Sequence, residues 1–476
     1  MKDHKTDMFH SGRLCGIIYK IIRIHCMVNA KRQKGRIMKD EGMEVTGYFS
    51  NGTSPVAFYM DNFRMTILDT RESFFDGGFY LNNQDGYLYG FTHRGMQFAA
   101  FVENYQIRVN GIARINTGIY VIGQSYHSFP TTTFSIIRFR GGTLNKLFEP
   151  KALDIDFRKG EDIPVKQFDD SVKYEFSTDA FNCVVTIQSN VIGKAGSDGN
   201  TLQNDEIILS LQFDKEQPFS SIKQHYFHVM NCLSFMTNRK NVGVDSIQLM
   251  SDDGSEQGKH WFDVFVKNDS ELTGKDRHRC LEFSDLGDSV STLFDLIYSN
   301  KENKRKLSLG FFPEKDNQIN MVSNEIIRST CAALECEASF ITFPEEDKAI
   351  DDLRRHVKSL IRKYRKLHKK EKTISDRTYS LIHGSMRYWS LSATEKIIHM
   401  YHMHQEAMQP FPLENSAIAD FIRYRNGITH GADQYISLDI ATTTYKLKAL
   451  VYCCLLSRIG ISEDKIISLC RIKINT

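Results

Sequence analysis

No Cys-x-x-Cys pair occurs among the ten cysteines, and proline and tryptophan are held to nine and two positions in 476 residues. Without paired cysteines the chain lacks the simplest zinc and redox spacings. Cys331 and Cys336 sit five apart on an expected helix and Cys453 and Cys454 are adjacent, so neither pair suits zinc or a simple disulfide. Buried, reduced thiols in a cytoplasmic protein are the expectation. There is also no Gly-x-Ser-x-Gly elbow, no Gly-Lys-Ser phosphate loop and no helix with paired metal ligands. Ser-His-Asp and Cys-His hydrolysis therefore have no support. An excess of charge of one sign is missing as well: 61 Lys and Arg against 58 Asp and Glu leave only +3. Any affinity for nucleic acid must come from local clusters. The apolar run over residues 14–28 is broken by Lys20, Arg23 and His25. It is too short to span a bilayer and too charged for the core of a signal peptide. A basic amphipathic helix at a membrane surface is one reading of it; a start codon placed too early, ahead of Met38 or Met43, is the other.

What is present divides the chain in two. From residue 44 to about 250, short β-branched and aromatic runs are separated by Gly, Asn and Asp turns. The runs at 79–81 and 87–89 flank a stretch ending in Asp85-Gly86, which favours a hairpin. Further strands are expected at 118–122, 133–139 and 207–211. One helix interrupts them, over 219–237, where Ile222, Tyr226, Met230, Leu233 and Met236 keep near-helical spacing. After residue 316 the pattern predicts helices at 322–340, 347–372, 375–389, 392–405, 413–430, 437–459 and 462–470. Ser392-Ala393-Thr394-Glu395 reads as a capping box. Antiparallel helices on short loops describe a bundle. The expected class is α+β: an N-terminal extension over 1–43, a β-rich domain over 44–315 and an all-helical bundle over 316–476, with the two halves packed together.

Chemistry concentrates near the end, in Arg425-Asn426-Gly427-Ile428-Thr429-His430-Gly431. Imidazole can both take and give a proton near neutral pH, while a guanidinium stays charged and grips a phosphate with two hydrogen bonds. Spacing alone does not settle the point. Arg362 with His368, and Arg377 with His383, are similarly spaced, but neither Arg is followed by Asn. Residue by residue, Arg425 and His430 also read as a surface arginine and a histidine satisfying the last helical carbonyls. With the surrounding text from 421 to 431, however, the motif resembles the Arg-Asn-x-x-x-His signature of HEPN ribonucleases, and specifically the HEPN domain of the ApeA family of anti-phage proteins. The run 233–237 into a basic turn and strand, and the Gly-aromatic strand at 43–49, resemble the N-terminal domain of that family.

The resemblance implies a metal-independent endoribonuclease acting in abortive infection, with no cofactor. His430 would transfer the proton, Arg425 would hold the phosphate and Asn426 would orient one of them or the RNA. The RNA's own 2′-hydroxyl would attack, leaving a 2′,3′-cyclic phosphate. Transfer RNA is a candidate target, because anticodon loops expose unstacked bases. The N-terminal domain is the expected seat of restraint and of a phage-derived trigger. In a regular helix Arg425 and His430 point about 140° apart. Either the helix ends at His430 with Gly431 left-handed, or two chains share one site; HEPN nucleases are usually homodimers. Ten cations over 354–372, among them Arg362, Lys363, Lys366, Lys369 and Lys370, stand against the single acid Glu371. They read either as a solvated face or as an RNA contact. A catalytically inactive HEPN scaffold that dimerises or binds RNA is the rival reading. The methionines and histidines over 399–408 mix helix faces and are read as ordinary core and surface rather than a metal cluster.

Overall fold

A computed structural model of the chain describes residues 44–50, 55–68, 86–108, 112–123, 132–148, 171–196, 199–251, 259–267, 280–299, 307–314, 318, 321–343, 348–367, 375–386, 391–431 and 435–474. The apolar run at 14–28, the hairpin expected around 79–85, and Lys369 and Lys370 lie outside the described residues.

Among these, twelve strands form one continuous antiparallel hydrogen-bonded system. The first six are β1 (Val45–Ser50), β2 (Pro55–Asp61), β3 (Arg64–Leu68), β4 (Tyr87–Thr92), β5 (Gln97–Arg108) and β6 (Ile112–Gly123). They pair in the order β3-β2-β1-β4-β5-β6, and β3 then pairs with β6, which closes a barrel. Closure removes the sheet edges and encloses an apolar interior. Phe49, Phe58 and Phe98 stack at its centre, with Phe49 and Phe58 centroids 4.5 Å apart and Phe58 and Phe98 4.6 Å apart. Gly47 and Gly90 let β1 and β4 meet there. A Cβ on Gly47 would lie 2.2 Å from the Phe91 carbonyl oxygen, and one on Gly90 2.2 Å from that of Tyr48.

β6 serves two sheets. Its first half, from Ile112 to Asn116, pairs with β3, and its second half, from Ile119 to Gly123, pairs with β12 (Lys259–Val266). From β12 a second sheet runs through β11 (Ser246–Ser251), β7 (Thr133–Arg140), β10 (Gly199–Pro218), β9 (Asn182–Gly196) and β8 (Val172–Ser177). A four-residue turn, α1 (Leu144–Leu147), follows β7. The expected helix is α2 (Ile222–Thr237), which opens on a 3-10 turn and ends at Asn238 in the left-handed conformation. The strand-like text does not announce α3 (Phe283–Leu286) and α4 (Ser289–Tyr298). α4 packs on α2 and β8, where Phe176 and Phe294 stack at 5.6 Å.

The C-terminal helices are α5 (Asn324–Ala338), α6 (Lys348–Leu367), α7 (Asp376–Ser385), α8 (Ala393–Met403), α9 (Asn415–Thr429), α10 (Leu438–Arg458) and α11 (Glu463–Leu469), the last followed by a π turn. The Ser392–Glu395 capping box is formed, and Ser323 and Ser437 cap α5 and α10. α5, α8, α9 and α10 pack on one another as the bundle core. From Leu447 to Leu456 α10 is buried nearly all round, while its first turns, with Leu438, Thr442 and Tyr445, face solvent. It joins the two halves. Tyr452 Oη donates a 2.6 Å hydrogen bond to the Phe235 carbonyl on α2, and the rings of Phe235 and Phe312 lie 5.3 and 6.2 Å from that of Tyr452. One apolar core therefore runs from the second sheet into the bundle.

The buried Phe235 carbonyl would lose its partner in Tyr452→Phe. We expect a loss of about 1–3 kcal/mol in stability by denaturant unfolding, with the transitions of the two halves still coincident.

Candidate active site

α9 carries the motif, and its sequence fixes both its buried side and its end. Ile418, Phe421, Tyr424 and Ile428 recur at helical spacing and are buried, so Arg423, Asn426 and His430 are left facing solvent. Tyr424 Oη donates to Asn324 Oδ1 at 3.1 Å, tying α9 to the start of α5. The helix stops at Thr429. His430 is the C-cap, its backbone N–H bonded to the carbonyls of Asn426 and Gly427, and Gly431 follows at φ +84°, where a side chain would be strained. Arg328 on α5 donates at 2.7 Å to the Ile428 carbonyl and satisfies one of the last acceptors.

Arg425 is half-buried against α5. One end of its guanidinium donates to Glu335 Oε1 at 2.9 Å and the other to Asn426 Oδ1 at 3.1 Å. Two of the three motif residues are thus brought together in one chain. Among the described residues no hydrogen bond joins the exposed His430 ring to them; about the helix axis its position lies about 140° from that of Arg425, whereas Asn426, four residues before it, shares its face. The ending at His430 with a left-handed Gly431, expected as one way to reconcile the two, is present.

Glu335 was not foreseen. It comes from a helix 90 residues earlier, and spacing within the motif carries no trace of it. It accepts from the guanidinium, stands 3.7 Å from the Cys331 thiol, and lines a shallow cleft with Ala338, Ser339, Ala393 and Lys396. Burial is the main effect that pushes the Cys331 thiol up to about 12, with the Glu335 charge adding to it. That sulfur therefore stays protonated at neutral pH.

Arg362, Lys363 and Lys366 are exposed on α6. Within the same helix Asp352 pairs with Arg355, while the guanidinium of Arg365 stacks 4.4 Å over Tyr379 of α7. His399 lies edge-on to Phe343 at 5.2 Å, His404 pairs with Glu463 at 3.1 Å, and Met400 and Met408 are buried. These groups point in different directions, as the mixed faces of the sequence suggested. No helix among the described residues is long and apolar enough to cross a membrane.

Beneath the site, Glu337 is 2% exposed and paired with Arg458 at 2.9 Å. Burial raises its carboxyl to about 7, and Arg458 only partly opposes that. The folded chain then holds a proton that the unfolded chain releases above about 4.5. This contribution to stability is complete below that pH and is lost as pH rises through 7.

Two family models match the chain. One, described as ApeA N-terminal domain 1, covers residues 45–295; the other, described as Apea-like HEPN, covers residues 332–465 and contains α9 with its motif. No curated protein and no solved structure matches the chain. For Glu337→Gln, which is neutral at every pH, we expect the fall in melting temperature between pH 5 and pH 8 to be shallower than in the wild type, read by calorimetry across that range.

Proposed function

The chain belongs to the ApeA-like HEPN family, and on that footing we propose that it is an anti-phage endoribonuclease whose α9 motif cuts RNA without a metal ion. HEPN domains are generally nucleases, and the observation that supports the reading is that Arg425, Asn426 and His430 lie on the last turns of one well-anchored helix, with Arg425 and Asn426 bonded to each other. His430 moves protons between the 2′-hydroxyl and the leaving 5′-oxygen. Arg425 neutralises the five-coordinate phosphate between them. Asn426, bonded to Arg425, sets the direction of the guanidinium. DNA, without the 2′-hydroxyl, is spared.

The separation of Arg425 and His430 about the helix axis favours a homodimer in which each cleft takes Arg425 from one protomer and His430 from the other. Glu335 holds the guanidinium at a fixed angle until a phosphate competes for it. Arg362, Lys363 and Lys366 supply the electrostatic approach for RNA, with anticodon loops of transfer RNA as the favoured substrate. A self-toxic nuclease in the cytoplasm needs restraint. The core that runs through α10 into α2 gives a trigger bound by the N-terminal domain a mechanical route to the site.

Purified protein should cleave total bacterial RNA in EDTA, leaving 2′,3′-cyclic phosphate ends. His430→Ala should lower the rate by about 10²–10⁴-fold, and Arg425→Ala by about 10²–10³-fold. Equal, undiminished cleavage by both variants would refute the assignment. Silence from the wild type, even in lysate of infected cells, would favour the scaffold reading. Replacing Arg362, Lys363 and Lys366 together with Ala should flatten the salt dependence of RNA binding by a slope of about two.

A further inference from the structure

We propose that α6 is one strand of a parallel two-stranded coiled coil whose other strand is α6 of a second copy of this chain. This rests on the dimeric reading above and assigns it a surface away from the motif. Ile350, Leu353, Val357, Leu360, Tyr364 and Leu367 recur at alternating steps of three and four residues. That period of 3.5 is the coiled-coil seam, narrower than the stripe of a helix packed on its own domain. The seam is open to solvent: Leu353 is 55% exposed, Leu360 62% and Leu367 81%. On another face Arg354, Lys358 and Ile361 are half-buried, and Arg365 stacks over Tyr379 of α7.

Side-chain chemistry selects the partner and its direction. Ile350 and Val357 occupy the first apolar position of the repeat and Leu353, Leu360 and Leu367 the second, the combination that favours two parallel strands. In that register His356 at a flanking position meets Ile361 of the other copy, and no Arg or Lys within 350–367 lies opposite another. No two permanent like charges meet, so the cationic helix can pair with itself. Arg355, Arg362 and Lys366 then lie on the outside of the coil, free for RNA. An RNA strand would use those cations but would leave the leucines bare. Residues 350–367 span about 27 Å, so the coil adds to a second contact between protomers rather than holding them alone.

Single cysteines at Leu353 and Leu360 test the register, with the unmodified chain and Arg355→Cys, on the outer face, as controls. Mild oxidation should link Leu353→Cys to itself and Leu360→Cys to itself, and neither control should form disulfide-linked dimers. Linkage only in a mixture of Leu353→Cys with Leu367→Cys would mean antiparallel helices and overturn the proposal. No linkage in variants that melt like the wild type would overturn it too. By light scattering, Leu353→Asp with Leu360→Asp should weaken dimerisation at least tenfold at an unchanged melting temperature. If that double variant keeps wild-type mass but loses binding to phosphatidylserine vesicles, the seam takes lipid and the proposal fails. None of these readings depends on RNA cleavage, so a failed coil and a failed nuclease assignment remain separable.

Discussion

The second half of α10, from Leu447 to Leu456, has no broad polar face, so it is stable only where apolar side chains cover it on every side, and much of the molecule is arranged to do so. α5, α8 and α9 cover it within the bundle. The remaining side meets α2 through Tyr452, Phe235 and Phe312, which makes the second sheet and its helices part of the same core. The position of α9 follows from that burial, and the position of Arg425 follows from α9 and α5 together. The motif is therefore held by the same packing that joins the two halves. Packed side chains join the N-terminal half to the bundle.

The barrel is a separate device in the same sheet. β6 is long enough to close the barrel with one half and to begin the second sheet with the other, so the two cores share a strand without sharing side chains. This leaves a rigid, edge-free unit at one end of the chain and the motif at the other.

Much of this was legible in the residues. β-branched and aromatic runs marked β7 and parts of β6 and β10, the Ser392–Glu395 capping box marked the start of α8, and the spacing of Ala417, Phe421, Tyr424 and Ile428 marked the buried side of α9. Partnerships between distant segments were not legible. The pairing of β3 with β6 depends on register between strands more than 40 residues apart. Glu335 meets Arg425 only because α5 and α9 cross. α3 and α4 were hidden because they are short and follow strand-like text. On α6 the charges drew the eye. The seam of Ile350, Leu353, Val357, Leu360, Tyr364 and Leu367 gains meaning only once those leucines are seen to be uncovered.

The central claim is that each cleft is shared between two protomers, on the ground that the two positions lie about 140° apart about the axis of α9. Complementation tests it most directly. Arg425→Ala and His430→Ala proteins, each inactive alone, are mixed, allowed to exchange subunits and assayed on RNA. A shared cleft predicts that the mixture recovers a substantial part of wild-type cleavage, because each mixed dimer holds one site with both residues intact. A mixture as silent as its components, under conditions where tagged subunits are seen to exchange and the wild type cleaves, would contradict it.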